Sequence, residues 1–379
     1  MKIDILLTAA TKVVLCLVVA GSLISCSSTP DKPKPAELAS NVGLLGIRLA
    51  WTSKVGGIDF PLDVKVNDGT VAVASSDGVV AMLDARTGAE LWRTNVGSQI
   101  AAGVGSDGRF AAVVTRGNEL IVLDGGREIW RQKLSAQGFT APLVAGGRIF
   151  VLAADRSVTA FDGLSGRKLW TQQRPGESLV LRQAGVLLAV GDTLVAGLSG
   201  RLVGINPSNG VIRWESPIAS PRGTNDIERL VDLVGRISRD GDVVCARAFQ
   251  TAVGCVNVAH GTLLWTKPAF GYVGVHGDDK YVYGVESDGK IMAWRRIDGE
   301  RAWVSERLRY RSLTAPLVVG RSIAVGDDAG LVHLLSREDG SALTRVATDG
   351  STVVAAPVLA AGTLVVVTRN GGVFGFMPE

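Results

Sequence analysis

Three histidines are the residues of this 379-residue chain best suited to metal binding or acid–base catalysis, because imidazole binds metals and titrates near neutral pH. His260, His276 and His333 lie far apart in the sequence, and none stands in a cluster of Cys, Asp or Glu ligands. His260 precedes Gly261, where a turn is expected. The motifs G-x-S-x-G, P-loop and H-E-x-x-H do not occur in the sequence. We therefore expect no metal site, no cofactor and no catalytic histidine.

Four cysteines offer a second kind of chemistry, namely lipid attachment or disulfide formation. Cys16 lies within an N-terminal apolar segment, and Cys26 ends that segment. Cys245 and Cys255 flank residues 249–251 in what reads as one hairpin, with a spacing that lets them face each other. Outside the cytoplasm this spacing favours a cross-strand disulfide. Two buried thiols are the alternative, and neither arrangement implies catalysis.

The N-terminus reads as a cleaved export signal over residues 1–25. Lys2 and Lys12 supply positive charge, and the apolar core at residues 13–24 is too short to span a bilayer. The ending Leu-Ile-Ser-Cys resembles the bacterial lipobox, whose cysteine is lipidated and becomes the new N-terminus. That resemblance makes Cys26 the predicted lipid anchor, and several acyl chains would hold the protein firmly at a membrane. An ordinary signal peptide with an incidental cysteine is the alternative.

A flexible tether is predicted to follow the cleavage site, over residues 26–42. It is rich in proline, serine and charged residues, a composition that cannot build a core. Ser27 follows Cys26, whereas in bacterial lipoproteins an aspartate at this place often retains the protein at the inner membrane. We therefore expect anchoring in the outer membrane, with the folded residues 43–379 facing the periplasm.

A repeated strand–turn–strand pattern organises the rest of the chain, and residues 77–92 show it most completely. Asp84 can accept hydrogen bonds from backbone N–H groups ahead of it, and Gly88 can take the positive φ that closes a bulged hairpin. Trp92 follows that glycine by four residues. The same spacing recurs at Gly126 and Trp130, Gly166 and Trp170, Gly210 and Trp214, Gly261 and Trp265, and Gly299 and Trp303, and Thr344 replaces the tryptophan after Gly340.

The repeat predicts a β-propeller. From Trp51 onward these tryptophans follow one another about every forty residues, which is typical of blades with four antiparallel strands. The third strand of each unit is apolar on both faces, as expected for a sheet that lies between two neighbours. Trp294 and Phe376 fall on that strand, so we interpret them as core residues and not as cofactor platforms.

Ring closure follows from what each end of the repeat lacks. Residues 46–52 supply an outermost strand without a hairpin partner, and residues 351–376 supply only the earlier strands of a unit. The N-terminal strand is therefore predicted to complete the C-terminal blade. Seven glycine-marked units and this composite unit give an all-β, eight-bladed β-propeller.

Two segments depart from the repeat. Residues 174–183 include Leu-Val-Leu-Arg at 179–182, between two units, and residues 219–240 lengthen a later unit with a polar stretch that ends at Asp232. Long or polar loops on a rigid scaffold are frequent binding sites. A tolerated surface insertion explains the same spacing equally well, so the residues alone leave both interpretations open.

Charge argues against nucleic acid as a partner. The formal net charge is +4, and basic and acidic residues alternate through the chain. A nucleic-acid-binding surface needs clustered Lys and Arg. A mixed, solvated surface is the simpler interpretation.

The motif A-x-x-D-x-x-T-G-x-x-x-W at residues 81–92 resembles the quinoprotein-type propeller repeat. Two families carry that repeat: the pyrroloquinoline-quinone (PQQ) dehydrogenases, and the outer-membrane protein assembly factor B (BamB) family of the bacterial β-barrel assembly machinery. The dehydrogenases are larger and usually carry adjacent cysteines and a Glu/Asn/Asp calcium site. This chain has no adjacent cysteines and resembles them only in the blades. A PQQ-dependent periplasmic enzyme is the alternative function.

The BamB family is similar over the whole chain, in its lipobox, tether, eight blades, clasped ends and both loops. In that family an L-x-L-R segment and an acidic segment contact the periplasmic domains of assembly factor A, the barrel-forming partner. Leu179, Leu181 and Arg182 match the first segment. The second segment is matched by Ile227, Glu228, Arg229, Leu230 and Asp232. Val234 stands where the family pattern ends in an aspartate.

The resemblance implies a non-enzymatic scaffold lipoprotein, held in the outer membrane by the lipids on Cys26. Such a protein would bind assembly factor A and assist the folding and insertion of outer-membrane proteins. Leu179 and Leu181 would form the desolvated centre of the contact, and Arg182 and Asp232 its directional polar pairs. Unfolded outer-membrane proteins are a further implied partner, since exposed blade edges can pair with extended chain. A ligand in the central channel is a third class of function, which no aromatic cluster supports.

Overall fold

Strands make up the regular secondary structure of the part of the chain that the structure describes. This computed structural model describes residues 33–174, 179–221, 224–225 and 229–379. Within these ranges the chain forms 32 strands and no helix. Residues 36–379 belong to one compact unit. A helix long and apolar enough to cross a membrane does not occur among the described residues.

Eight four-stranded antiparallel sheets hold these strands. The first strand, Ile47–Lys54 (β1), belongs to the last sheet. Blade 1 consists of Lys65–Asn67 (β2), Thr70–Ala74 (β3), Val79–Asp84 (β4) and Glu90–Asn95 (β5). Blade 2 consists of Gly105–Ser106 (β6), Phe110–Val114 (β7), Glu119–Asp124 (β8) and Arg127–Lys133 (β9). Blade 3 consists of Leu143–Ala145 (β10), Arg148–Leu152 (β11), Ser157–Asp162 (β12) and Lys168–Gln173 (β13).

The next four blades repeat this order. Blade 4 consists of Leu187–Val190 (β14), Thr193–Leu198 (β15), Arg201–Ile205 (β16) and Ile212–Pro217 (β17). Blade 5 consists of Leu233–Asp240 (β18), Val243–Ala248 (β19), Ala252–Asn257 (β20) and Thr262–Pro268 (β21). Blade 6 consists of Val275–Gly277 (β22), Tyr281–Val285 (β23), Ile291–Arg295 (β24) and Arg301–Ser305 (β25). Blade 7 consists of Leu317–Val319 (β26), Ser322–Gly326 (β27), Leu331–Ser336 (β28) and Ala342–Ala347 (β29).

Blade 8 joins the two ends of the chain. It consists of Val358–Ala360 (β30), Thr363–Val367 (β31) and Gly372–Pro378 (β32), with β1 as its outer strand. The strand β1 runs antiparallel to β32, with Thr52 opposite Phe374. The predicted eight-bladed all-β propeller and its predicted closure by the N-terminal strand are therefore confirmed.

The strand order fixes the face of the ring on which each connection lies. The first strands of the blades are innermost, since β2 contacts β30 and β6, and β22 contacts β18 and β26. Successive strands run in opposite directions. The connections between blades therefore share one face with the turns between second and third strands, and we call it the loop face. The remaining hairpin turns lie on the opposite face, which we call the hairpin face.

The third strands are buried on both sides, as their composition predicts. In β4, residues 80–83 are at most 4% exposed. Trp294 and Phe376 are each 2% exposed, so both belong to the core. Complete burial of one large apolar side chain stabilises a fold by about 1.5–3 kcal/mol. The packing between neighbouring blades is therefore a main source of stability.

An aspartate shapes the repeat turns of blades 1 and 3. Asp84 Oδ1 accepts hydrogen bonds from the Thr87 N–H at 2.8 Å and from the Thr87 hydroxyl at 2.7 Å. These bonds from Thr87 hold the pKa of the Asp84 carboxyl below its usual value. Asp162 repeats the arrangement with Ser165 in blade 3. The turn predicted from sequence is therefore the turn that forms.

Tryptophan and glycine interlock neighbouring blades. Trp51 of blade 8 packs on Gly88 of blade 1, where an added Cβ would lie 2.4 Å from the indole ring. The indole Nε1 donates a hydrogen bond to the Ala85 carbonyl at 3.0 Å. Gly88 has a φ of 71°, so backbone conformation and neighbour both require glycine. The contact recurs at Trp92 and Gly126, Trp130 and Gly166, Trp170 and Gly210, Trp214 and Gly261, Trp265 and Gly299, and Trp303 and Gly340.

Residues 36–45 lie along the outside of blade 7, and we call them the N-terminal strap. The Ala36 N–H donates to the Arg309 carbonyl at 2.9 Å, and the Leu44 N–H donates to the Leu343 carbonyl at 2.7 Å. Leu38 packs against the core cluster of blades 6 and 7. The tether predicted over residues 26–42 is thus attached to the propeller from Ala36 onward. Composition did not indicate this attachment, because main-chain hydrogen bonds and a single leucine provide it.

Candidate functional site

The two irregular segments lie side by side on the loop face. One connects β13 to β14, and the other connects β17 to β18. Their contact is direct, since the Leu181 N–H donates a hydrogen bond to Asp232 Oδ2 at 3.0 Å across 51 positions of sequence. The two segments singled out from the sequence therefore form one surface.

A buried ion pair holds this surface together. Arg156 lies in the turn between β11 and β12, and its Nη1 is 2.8 Å from Asp232 Oδ1. Its Nη2 donates to the Leu179 carbonyl at 2.9 Å. One guanidinium and one carboxylate thus fix the backbone of both segments, and we call the pair the Arg156–Asp232 clamp.

Burial makes the clamp energetically important. The side chains of Arg156 and Asp232 are 8% and 16% exposed. Removing one partner of a pair that is shielded from solvent costs more than removing one partner of an exposed pair, because the remaining charge has little water around it. The clamp also fixes the backbone of the two segments relative to each other.

Sequence reasoning missed Arg156. It has a φ of 61°, and the matching turns of other blades carry Gly78, Gly289, Gly330 and Gly371 with positive φ. An arginine where the repeat favours glycine is a signal that could have identified this residue. A non-glycine residue with a positive φ is strained, so its presence indicates that neighbouring groups hold it in this conformation.

The clamp leaves part of the first segment exposed. Leu179 is 41% exposed, and Arg182 is exposed as well. Leu181 is half-buried. An exposed leucine held by a rigid backbone, with a charged neighbour, has the composition of a small protein-contact surface. We call Leu179, Leu181 and Arg182 the contact segment.

A small cavity lies beneath the contact segment. It has a volume of about 60 Å³, and Phe139, Leu152, Leu181 and Leu233 are among its lining residues. Ligand pockets usually measure about 300–1,000 Å³, so this space is too small for a cofactor.

The second segment is described only in part. Ile227 and Glu228 lie outside the described residues, as does the predicted lipidation site Cys26. The Arg229 N–H donates to the Asn225 carbonyl at 3.2 Å, and Arg229 is half-buried. Val234 is 1% exposed and sits in β18 opposite Arg247, so its side chain is part of the interior.

Asp232 has internal hydrogen bonds that the sequence did not indicate. Both of its carboxylate oxygens accept hydrogen bonds from within the chain, so it orients the contact segment from below. Its contact with a partner, which the resemblance implies, stays a prediction.

Cys245 and Cys255 are opposite each other in β19 and β20 and are joined by a disulfide. Both residues are fully buried. Arg296 Nη1 lies 3.5 Å from Cys245 Sγ and extends the buried network. The disulfide lies in the interior and links two neighbouring strands of blade 5, so it presents no reactive thiol to solvent.

Two of the three histidines have internal roles. His333 Nε2 is 2.9 Å from Asp327 Oδ2, and both side chains are buried. His276 Nδ1 accepts a hydrogen bond from the Val318 N–H at 3.1 Å. Burial, together with Arg236 and Arg296, lowers the pKa of His276 to about 3, so it is neutral at physiological pH. Among the described residues, three or more His, Cys, Asp or Glu side chains nowhere gather closely enough to hold a metal ion.

A charged side chain crosses the inner ring. Arg236 of blade 5 donates from Nη1 to the Pro357 carbonyl beside blade 8 at 2.7 Å. Enclosure by the blades raises the pKa of the Asp63 carboxyl, and the charges of Arg236 and Lys65 oppose that shift. The same enclosure lowers the pKa of Arg236. The space along the axis is therefore partly filled by the protein's own groups.

Comparison of the sequence with known proteins identifies the family to which the chain is similar. A family model described as outer membrane protein assembly factor BamB matches residues 76–305. The outer membrane protein assembly factor BamB of Burkholderia pseudomallei is 36% identical over 360 residues, which cover 94% of this chain and 94% of that relative.

Solved structures share the fold. The crystal structure of BamB from Moraxella catarrhalis matches with a TM-score of 0.79 at 23% identity and covers 87% of this chain and 99% of that one. The quinohemoprotein alcohol dehydrogenase of Comamonas testosteroni matches with a TM-score of 0.68 at 15% identity and covers 91% of this chain and 79% of that one. Identities this low show the propeller fold alone.

The sequence matches separate the two families that share this fold. The family model and the Burkholderia relative both carry the name of an assembly factor, whereas the dehydrogenase is similar only in architecture. The chain is therefore grouped with assembly factors and not with enzymes. It belongs to the outer membrane protein assembly factor BamB family.

Proposed function

We propose that this protein is a lipid-anchored scaffold that binds the periplasmic domains of assembly factor A through the contact segment. Its family gives the broader role, which is outer-membrane protein assembly as a component of the β-barrel assembly machinery. The proposed anchor is Cys26, in the outer membrane, with the propeller on the periplasmic side.

The observation that carries the proposal is the Arg156–Asp232 clamp. It fixes Leu179 by its carbonyl and Leu181 by its N–H, so the contact segment is ordered before any partner arrives. A preordered surface binds more tightly than a mobile one, because less conformational entropy is lost on binding.

The residues of the contact segment have different roles in the proposed binding. Leu179 supplies apolar area that a partner can bury, and Arg182 supplies a donor that can meet a carboxylate or carbonyl at the rim. Arg229 and Glu228 belong to the same proposed surface through the second segment. Asp232 acts as a positioning residue.

Unfolded outer-membrane proteins are a second partner in this proposal. The outer strands β5, β9, β13, β17, β21 and β25 are each the last strand of their sheet. An extended chain can add to such an edge by main-chain hydrogen bonds. The support is general to propeller edges, so the contact segment remains the main binding surface.

Retention of assembly factor A tests the proposal. Detergent-solubilised envelopes are passed over immobilised wild-type protein, over Arg182→Glu and over Arg86→Glu as a control. Arg86 is an exposed arginine in a turn of the hairpin face, so the control makes the same charge change away from the contact segment. We expect Arg182→Glu to retain at least about tenfold less partner, which corresponds to about 1.4 kcal/mol. Failure of the wild type to retain any assembly component would refute the proposal.

A further inference from the structure

The N-terminal strap begins on the loop face. Its first residue, Ala36, donates to the Arg309 carbonyl at 2.9 Å, and Arg311 Nη2 donates to the Ala36 carbonyl at 3.2 Å. Both arginines belong to the connection between β25 and β26, which lies on the loop face. Ala36 therefore lies on the same side of the propeller as the contact segment.

The rest of the strap is fixed to blade 7. Asn41 Nδ2 donates to the Arg345 carbonyl at 3.0 Å, and the Leu44 N–H donates to the Leu343 carbonyl at 2.7 Å. Cys26 and Ala36 are ten residues apart in the sequence, and ten residues of fully extended chain span at most about 35 Å. Lipids on Cys26 would keep this side of the propeller near the membrane surface.

Two exposed aromatic side chains flank the start of the strap. Phe270 is 62% exposed and Tyr310 is 38% exposed. Their backbones hold the same turn of blade 6, because the Ser287 N–H donates to the Phe270 carbonyl at 3.2 Å and the Tyr310 N–H donates to the Asp288 carbonyl at 2.7 Å. We call Phe270 and Tyr310 the aromatic patch.

The charges around the aromatic patch nearly cancel. Arg309 Nη1 lies 3.4 Å from Glu306 Oε2, and Lys290 Nζ lies 3.1 Å from Asp288 Oδ2. Arg307 adds one exposed positive charge. Attraction to anionic lipids is therefore weak, and any affinity of this surface for a bilayer has to come from its aromatic rings.

We propose that the aromatic patch rests in the headgroup region of the membrane that holds Cys26, so that the loop face is turned toward the lipid. This inference depends on the lipid anchor of the proposed function. Tyrosine, whose ring has one polar end, favours the membrane–water interface, and an exposed phenylalanine can insert at the boundary between headgroups and acyl chains. The patch needs little intrinsic affinity, because the short tether gives it a high effective concentration at the surface.

Fluorescence quenching by lipids tests this orientation. The full lipoprotein is reconstituted alone in nanodiscs whose lipids are brominated near the headgroup. A small polar fluorophore is attached at Ser287→Cys, between the two aromatic residues, or at Leu164→Cys, a 64% exposed position in a hairpin-face turn. Cys245 and Cys255 are buried and bonded to each other, so only the introduced thiol is labelled.

We expect quenching at Ser287→Cys to exceed that at Leu164→Cys at least about threefold, and to be insensitive to salt. Adding Phe270→Asp and Tyr310→Asp to the Ser287→Cys protein should remove most of the difference while the hairpin-face signal stays the same. Equal quenching at the two positions overturns the inference, and so does a signal at Ser287→Cys that the double aspartate variant leaves intact.

The same sample separates this inference from the proposed function. Mass spectrometry of the reconstituted protein reports whether residue 26 carries acyl chains, and their absence would overturn the anchor and the orientation together. Arg182→Glu, which tests partner binding, should leave the quenching unchanged. Loss of partner binding with intact quenching would therefore contradict only the contact with assembly factor A.

Discussion

At the scale of single residues, the proposed contact segment depends on one pair of charged side chains. Arg156 is buried and Asp232 is half-buried, and together they hold the backbone of Leu179 and Leu181. Arg156 takes a strained φ of 61° in a turn where blades 1, 6, 7 and 8 carry glycine and blade 2 carries Asn118. The ion pair stabilises that strained turn, so structure and binding surface rest on the same two side chains.

A double-mutant cycle on the clamp makes this coupling measurable. We expect Arg156→Ala and Asp232→Ala each to lower the free energy of unfolding by about 1–3 kcal/mol, because each removes the ionic partner of a charge that is shielded from solvent. The double variant should lose much less than the sum, since both charges are then gone. Urea unfolding measures all three, and additive losses would contradict the clamp.

An exposed ion pair on the neighbouring blade is the control for that cycle. Arg213 Nη1 lies 2.9 Å from Asp192 Oδ1, whose side chain is 84% exposed. Solvent screens such a pair, so Asp192→Ala should change stability little. The clamp variants should also retain less assembly factor A than Asp192→Ala, although none of these side chains belongs to the contact segment.

The sequence could identify Leu179, Leu181 and Arg182 but could not identify Arg156. The first three stand in a short pattern within an irregular loop, so local spacing reveals them. Arg156 acts through a contact with Asp232, 76 positions away. Only the fold brings that pair together, and only the fold shows that Asp232 is used internally.

At the scale of elements, the repeated hairpin is also a joint between blades. Glycine and tryptophan four residues apart look like one local motif in the sequence. In the structure each glycine receives the tryptophan of the preceding blade, as at Gly88 and Trp51. Strands, turns and blade number followed from periodicity and turn chemistry, whereas this pairing required knowing which blades are neighbours.

Two glycines with nearly equal φ allow two effects of a substitution to be measured separately: the unfavourable backbone conformation, and the overlap with the tryptophan of the neighbouring blade. Gly88 has a φ of 71° and Gly97 a φ of 72°, but an added Cβ meets the Trp51 ring at 2.4 Å in the first case and nothing within 4 Å in the second. Gly97→Ala should cost about 1–2 kcal/mol from conformation alone. Gly88→Ala should cost about 1–3 kcal/mol more, from overlap with the ring. Equal losses in urea unfolding would show that Trp51 exerts no constraint.

The N-terminal strap is an element that composition concealed. Its sequence lacks a repeat or a long apolar run, so it reads as an extension of the tether. It lies along the outer strand of blade 7, where the Leu44 N–H donates to the Leu343 carbonyl. Main-chain hydrogen bonds to a particular strand edge leave little trace in side-chain composition.

At the scale of the whole molecule, the loop face gathers the features that concern partners. It carries the contact segment, the start of the strap and the aromatic patch. The hairpin face carries the turns of the repeat, which are determined by the packing between blades. One side of the ring is thus specialised, although the blades themselves are nearly equivalent.

Attachment of the strap can be tested by proteolysis of the intact molecule. Glu37 is exposed next to Leu38, which packs on the cluster of blades 6 and 7. We expect Leu38→Asp to speed cleavage after Glu37 by a glutamate-specific protease about tenfold, which corresponds to about 1.4 kcal/mol, because the contact of a half-buried leucine is lost. The propeller should stay folded by circular dichroism.

Val42→Asp is the matched control for this measurement. Val42 belongs to the same strap but is 53% exposed, so an aspartate there should leave cleavage after Glu37 close to the wild-type rate. Equal rates in Leu38→Asp and Val42→Asp would mean that Leu38 does not fasten the strap.

The pairing of β1 with β32 also has a consequence for chains whose synthesis is not completed. During synthesis β1 emerges first and its partner strand emerges last, so seven blades can form while the ring is still open. In a chain that ends before residue 372, β1 has no partner strand, and its backbone N–H and C=O groups remain unpaired. Such fragments are susceptible to degradation. Only a complete polypeptide can form the β1–β32 pair that closes the ring.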